Sequence, residues 1–407
     1  MHVRIIHSYF FPDLSSVSQV VSDLAFHLSS RGHKVSVLAS RNYYTGVGRE
    51  RLHAEEDIHG VSVCRIWGPS LGKGSVFARL ADQLFFATGA TVVALVAQKA
   101  DIVVLLTHPP LFSILGLVLK RLRRERFVYI VMDLYPDIPI RAGFLKAGSL
   151  SAQLMSWVTR KTLQGADQVI VPGASMRDAV IARGADASKT LVIRNWADEN
   201  ILHPPDQNEN DFRKAHGLYG RFVVMYSGNM GVAHRFDEIL EVARRLRERE
   251  DICFVFIGDG VRRKEIQEFQ EANGLRNLLL LPYQDRAQLG ESLGAGDVHF
   301  ASLREEFEGL MVPSKIYGVM AAGRPVIYQG NPKGEIGRLV IERDIGTVVP
   351  DGDTDGLEAA ILRLHKNRAL AADLGKRART VLEQNYSMRQ AVEAYESAFL
   401  AGIRMHA

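Results

Sequence analysis

Short runs of Val, Ile and Leu alternate with helix-period patterns along almost the whole chain, and that alternation leaves few folds open. Candidate strands fall at Val3–His7, Val35–Leu38, Val61–Ile66, Ile102–Leu106, Phe127–Val131, Gln168–Val171 and Leu191–Ile193. A second series falls at Phe222–Tyr226, Ile252–Ile257, Leu278–Leu281, Val298–Ala301, Pro325–Tyr328 and Thr347–Val349. Most of these runs are apolar at every position, so both faces of the sheet must be covered. Between them, residues such as Val17, Val20, Val21, Leu24, Ala25 and Leu28 form one helical stripe, with Ser15 or Ser16 placed to cap it and Gly32 just beyond its end. Strands buried on both faces and separated by helices read as parallel sheets of the α/β class.

The alternation breaks once, at Asn200-Ile-Leu-His-Pro-Pro-Asp-Gln-Asn-Glu-Asn210, a polar stretch with the character of a linker. For 407 residues, two doubly wound domains are expected rather than one barrel. The expected division is a first domain over 1–199, a linker over 200–215, a second domain over 216–385, and a helical tail over 386–407 able to pack back on the first domain. Two apolar stretches resemble membrane spans, but Leu84 to Gln98 is short and Ile102 to Leu119 is broken by His108-Pro109-Pro110. The first residues carry no apolar leader segment, so a cytoplasmic protein is expected. Cys64 and Cys253 lie in apolar runs and read as core residues.

Charge is unevenly spread. Residues 1–199 hold 23 Lys+Arg against 16 Asp+Glu, the remainder 27 against 30. A basic first half suits an anionic partner such as a phosphate-bearing substrate, a membrane surface or nucleic acid. Lys120-Arg-Leu-Arg-Arg-Glu-Arg126 concentrates that charge. It reads either as favourable charge at a helix C-terminus or as a peripheral contact with anionic lipid on the inner face of the cytoplasmic membrane. Nothing aromatic is interleaved with it, which disfavours nucleic acid.

In doubly wound sheets ligands bind beyond the carboxyl ends of the strands. The loop after the first strand, Ser8 to Val17, contains no glycine, so a dinucleotide fingerprint is absent. Gly258-Asp-Gly260 lacks the third glycine, and no Walker A segment or zinc-hydrolase pattern occurs. Ser227-Gly228-Asn229-Met-Gly231, by contrast, follows the first strand of the second domain and precedes a helix, where glycines let backbone N–H groups approach an anion. The segment Glu308 to Val326 is richer. Pro313 can open a helix with Ser314 and Lys315 in its first turn, and a lysine there opposes the helix dipole unless an anion sits beside it. Lys315 is therefore a candidate diphosphate ligand.

These motifs, in this order, resemble the GT4-type retaining glycosyltransferases with the two-domain GT-B fold. The resemblance rests on Arg31-Gly-His-Lys-Val-Ser-Val-Leu, Ile193-Arg-Asn-Trp-Ala-Asp198, Tyr226-Ser-Gly-Asn-Met-Gly, Phe256-Ile-Gly-Asp-Gly and Pro313-Ser-Lys with Met320-Ala-Ala-Gly-Arg-Pro-Val. Val131-Met-Asp-Leu-Tyr-Pro136 is similar to the branch that builds bacterial surface polysaccharides, including colanic-acid and fucosamine transferases. The resemblance implies two Rossmann-like domains facing a central cleft. It implies a nucleotide-sugar donor on the second domain, an acceptor on the first, and no metal or other cofactor.

Two departures from the family pattern stand out. Asn229 and His234 occupy positions where many relatives carry Arg and Lys on the phosphates, which shifts weight onto Lys315 and Arg235. The pattern also has two glutamates eight positions apart, for donor sugar and ribose. Counted back from Pro313, Glu308 fits the first; counted back from Gly323, the second position is Gly318, ten positions on rather than eight, and Glu335 on the next loop is a candidate replacement. On the acceptor side, His108 and Asp133 follow the strands Ile102–Leu106 and Phe127–Val131 and can orient or hold an acceptor hydroxyl. The expected activity is transfer of a hexose or aminohexose from a UDP-type donor to a glycan or polyprenyl-diphosphate-linked acceptor, with retention. A sugar-nucleotide 2-epimerase and a non-catalytic nucleotide-sugar binder remain alternatives.

Overall fold

A computed structural model describes residues 1–13, 15–43, 52–69, 76–198 and 209–404. The chain divides into two units, Met1–Arg194 with Arg389–Ala407, and Asn195–Met388. The expected linker lies partly outside the described residues, at 200–208. Asp211–Ala215 is already helical and belongs to the second unit, where Arg213 pairs with buried Asp297 at 2.6 Å.

Among its described residues the first unit holds eight strands: β1 His2–Ile6, β2 Lys34–Ser40, β3 Glu55–Ile58, β4 Val61–Ile66, β5 Ile102–Leu106, β6 Arg126–Ile130, β7 Gln168–Val171 and β8 Thr190–Val192. Their order is β3-β4-β2-β1-β5-β6-β7-β8, and only β3 runs antiparallel to its neighbour. Strand β3, Glu-Glu-Asp-Ile, lies outside the expected strands because it carries no apolar run. As an edge strand it needs none, and charge on an edge discourages pairing with other chains. The C-terminal helix Met388–Arg404 completes this unit. Its Phe399 carbonyl accepts from Arg126 at 3.1 Å, and its Glu396 carboxylate meets His33 at 2.8 Å.

Among its described residues the second unit holds six parallel strands: β9 Phe222–Ser227, β10 Ile252–Ile257, β11 Leu278–Leu281, β12 Val298–Ser302, β13 Val326–Gln329 and β14 Gly346–Val349, in the order β11-β10-β9-β12-β13-β14. Side chains alternate across it as a period of two demands. Phe222, Val224, Phe254 and Phe256 pack with Ile239, Ile361 and Leu364 on one face. Val223, Met225, Cys253 and Val255 pack with Phe212 and Leu218 on the other. Each such fully buried side chain contributes about 1.5–3 kcal/mol, which is what holds the strand ends, and hence the loops beyond them, in place.

Candidate active site

Strand order reverses between β9 and β12 in the second unit and between β1 and β5 in the first. A doubly wound sheet opens a crevice at such a switch point, beyond the strand carboxyl ends. In the second unit the loops after β9, β10, β12 and β13 all emerge on that edge, and they carry most of the residues singled out above.

Lys315 is the hub. It is the first residue of the helix Lys315–Ala321, so Pro313 and Ser314 precede the helix rather than open it, and Ser314 occupies the cap position without a side-chain cap bond. The Lys315 ammonium donates to the Tyr226 hydroxyl at 2.5 Å and to Nε2 of His234 at 3.1 Å. The Tyr226 hydroxyl in turn donates to the Asn229 carbonyl at 2.6 Å, which pins the glycine loop. Nδ1 of His234 lies 2.5 Å from the Ser302 carbonyl. A carbonyl can only accept, so Nδ1 holds the proton and Nε2 presents a lone pair to Lys315. An ammonium has three donors, and among the described residues two are spent here. Burial lowers the Lys315 pKa to about 7.

This geometry revises the part expected of His234. Burial first, and the Lys315 charge second, lower its pKa to about 3, so it is no cation for a phosphate. It acts on Lys315 instead. Arg235 faces Glu238 at 3.3 Å and Asp351 at 3.2 Å, so two carboxylates already balance its charge. The helix after the glycine loop starts only at Asp237 and carries Asp237 and Glu238 in its first turn. The helix-end charge expected behind Ser227-Gly228-Asn229 is thus met by the protein's own acids. Gly258 has φ +136°, and a Cβ there would lie 2.1 Å from the Gly228 carbonyl, so its role is close packing of two turns. Arg263, which the sequence reading passed over, donates to the Gly258 carbonyl at 2.6 Å.

Glu308 and Glu335 come together. The Glu308 carboxylate accepts the Glu335 backbone N–H at 2.8 Å, at the start of the helix Glu335–Glu342. Gly334 makes this approach feasible, since a Cβ there would sit 2.6 Å from the Glu308 carboxyl carbon. Burial raises the Glu308 pKa, against the lowering effect of that N–H. Glu335 offers Glu308 its backbone, while its own carboxylate lies 3.8 Å from Arg338.

In the first unit, three rings gather at the switch point. His108 stacks on Tyr9, with centroids 6.1 Å apart, and His7 lies 6.0 Å from Tyr9 and 6.4 Å from His108. Tyr9 escaped the sequence reading because a tyrosine in a loop has no periodic signal. Thr107, at the end of β5, accepts from the backbone N–H groups of Met132 and Asp133, both at 3.3 Å, and so ties the loop after β6 to that of β5. The Asp133 carboxyl has no hydrogen-bond partner among the described residues. Although the residue keeps some surface, its carboxyl is enclosed enough that lost solvation raises its pKa to about 6.

Three of the five bases in the run are engaged by the protein itself. Lys120 donates to the Gly165 carbonyl at 2.9 Å and pairs with Asp167 at 2.6 Å. Arg123 caps Ala97 at 2.6 Å and also reaches the Leu95 carbonyl, and Arg126 serves Phe399. Only Arg121 and Arg124 project, so the expected lipid contact at 120–126 is not supported there.

Known proteins resemble both units in sequence and fold. Residues 16–196 match the family described as glycosyl transferase 4-like domain, and residues 221–367 match glycosyl transferases group 1. The glycosyltransferase WbjE of Pseudomonas aeruginosa is 28% identical over 74% of this chain and 74% of its own length. WcaI of Escherichia coli (strain K12), named for colanic acid biosynthesis, is 26% identical over 93% and 96%. Sucrose-phosphate synthase from Thermosynechococcus elongatus superposes with a TM-score of 0.78 at 17% identity, covering 98% of this chain and 100% of that one. Anabaena HepE, solved with UDP and glucose, gives 0.73 at 14% identity with the same coverage. Two doubly wound units, the two matched halves and these relatives together place the chain in the GT4-type glycosyltransferase family, with the GT-B fold.

Proposed function

We propose that the chain transfers a hexose or aminohexose from a UDP-sugar to a sugar hydroxyl of a lipid-linked polysaccharide precursor, with retention, without a bound metal, and in peripheral contact with an anionic membrane. The observation that carries this reading is the Lys315 ammonium, held by Tyr226 and His234 at the switch point with one donor unspent among the described residues. A diphosphate beside it favours the charged amine, which takes over the part that a metal ion plays elsewhere. HepE, with UDP and glucose, supports the uridine donor, and the colanic-acid name of WcaI supports a polysaccharide product.

In this reading Glu308 accepts hydrogen bonds from the donor sugar, and His108 with Asp133 orients the acceptor. The bond between the anomeric carbon and the diphosphate oxygen breaks while the acceptor oxygen bonds to that carbon on the same face. The acceptor proton passes to the departing phosphate oxygen, and Lys315 stabilises the charge that develops there.

A thermal-shift screen of UDP-, GDP- and ADP-sugars in the presence of a chelator tests the donor. Stabilisation by UDP-sugars alone is expected, and a requirement for added metal would overturn the metal-free reading. Turnover with a lipid-linked acceptor, and an unchanged anomeric configuration by NMR, completes the test. Conversion of the donor to an isomer without acceptor would replace transfer by epimerisation. Tight UDP binding with no turnover would leave a binding protein.

A further inference from the structure

Three helices of the first unit lie side by side over its sheet: Val76–Val96, Ile114–Arg123 and Leu150–Gly165. Arg123 on the Ala97 carbonyl ties the second to the first. A Ser113–Thr162 hydroxyl contact at 3.1 Å, and Lys120 on the Gly165 carbonyl, tie the second to the third. The third helix buries Ala152, Val158 and Leu163. Its exposed side, otherwise polar, carries an apolar stripe of its own. Leu150, Leu154 and Trp157 are 85%, 51% and 53% exposed and follow an i, i+4, i+7 stripe. Phe144, in the loop leading to this helix, is 70% exposed, and Leu122 on the middle helix is 68% exposed.

The charges around this stripe are of one sign. No Asp or Glu occurs between Asp137 and Asp167, whereas Arg141, Lys146, Arg160 and Lys161 do and are all exposed. Among the described residues none of these four side chains has a hydrogen-bond or ion-pair partner. That sets them apart from Lys120, Arg123 and Arg126, which are spent on capping. A second copy of the chain fits poorly, because a two-fold interface would bring this basic rim against itself. Phosphate headgroups above an acyl layer match both features at once.

We propose that this face docks on an anionic bilayer, with Phe144, Leu150, Leu154 and Trp157 entering the headgroup–acyl boundary and the four bases meeting lipid phosphates. This rests on the peripheral contact proposed above and deepens it, moving the contact from residues 120–126 to residues 141–161. Asp133 and Phe144 lie on one connection, 131–149, which joins the proposed acceptor residue to the docked face along the chain.

Co-sedimentation with vesicles of phosphatidylglycerol and phosphatidylcholine, against phosphatidylcholine alone, tests the proposal on the full chain. Binding is expected only to the anionic vesicles and weakens with salt. Arg160→Glu with Lys161→Glu should lower partitioning at least about 25-fold, at roughly fivefold per lost base before the repulsion of the new carboxylates. Leu154→Ser with Trp157→Ser should lower it at least about tenfold. All four positions are exposed, so thermal midpoints and turnover of a soluble acceptor should stay unchanged. Vesicle binding equal to wild type in both variants overturns the proposal. So does a loss as large in Arg124→Glu, or a wild-type dimer that the Leu154/Trp157 variant dissociates. Turnover without vesicle binding sinks the docking surface alone, whereas vesicle binding without turnover sinks the transferase reading alone.

Discussion

At the switch point of the second unit one ammonium is held by a tyrosine hydroxyl and an imidazole, and each holder is itself fixed to a backbone carbonyl. At the switch point of the first unit, the rings of His7, Tyr9 and His108 gather about 6 Å apart, and the Asp133 carboxyl of the neighbouring loop has no hydrogen bond among the described residues. The two edges share a fold plan and differ in how tightly their ionisable groups are tied. A network tied at all but one donor suits a ligand part that never changes, and the diphosphate is common to all nucleoside-diphosphate-sugar donors. A carboxyl left untied, with Asp133 titrating near neutrality, suits a partner whose hydroxyls must be oriented and whose shape varies between enzymes.

The largest effect should come from breaking the tied edge. Lys315→Met removes the ammonium at the centre of the network and should weaken UDP-sugar binding by about 10- to 100-fold, as loss of a charge-assisted contact does. The same change should stabilise the unliganded protein. An amine in the unfolded chain keeps its proton to about pH 10.5, whereas folded Lys315 loses it above about 7. Between those values the unfolded state binds more protons, so stability owed to this residue rises with pH. At and below pH 7 the burial cost is felt in full, and relieving it, less the two hydrogen bonds lost to Tyr226 and His234, should be worth about 1–3 kcal/mol by denaturant titration. Donor affinity runs the opposite way and should fall as pH rises above 7. Calorimetry in buffers of different ionisation enthalpy should show proton uptake on binding. Unchanged affinity in the Met variant would end the assignment.

A smaller and separable effect is expected at the looser edge. Asp133 is protonated below about pH 6, so an acceptor-side kcat/KM that needs the carboxylate should decline below that pH. Asp133→Asn should lower transfer roughly 10- to 100-fold, as loss of a positioned acid or base does, and should abolish that limb. Donor affinity should stay unchanged. If the donor constant moves with it, the two edges are not independent.

The strands were legible because they are apolar on both faces, and Lys315 was legible because a lysine at a helix start contradicts the dipole rule. The partners of Lys315 were not. Tyr226 is read from sequence as one more apolar strand residue, and His234 as a weakened phosphate ligand. Their roles arise only when β9 and β12 become neighbours, a pairing between residues 222–227 and 298–302 that no local pattern encodes. Lys120 and Arg123 failed in the same way. A run of bases looks like a surface, but the carbonyls they cap belong to helices that end some 25 to 45 residues away in the chain.

The smallest predicted effect sharpens the donor edge by restoring a missing part. Gly318 is helical and half-buried, and a Cβ there would stand 3.4 Å from Leu293, an ordinary contact. Space therefore does not require glycine, and its φ is not in the left-handed region. Gly318→Glu should raise helix stability by about 0.5–1 kcal/mol on propensity alone. If the family's ribose carboxylate acts from this position, the variant should also bind UDP about three- to tenfold tighter. Glu335→Gln, made both in the natural chain and together with Gly318→Glu, then discriminates. If Glu335 has taken over the ribose hydroxyls, its loss weakens UDP binding in the natural chain and is tolerated in the Gly318→Glu background. If Glu335 only braces Glu308 through its backbone N–H, the side-chain change is silent in both backgrounds, because that N–H remains.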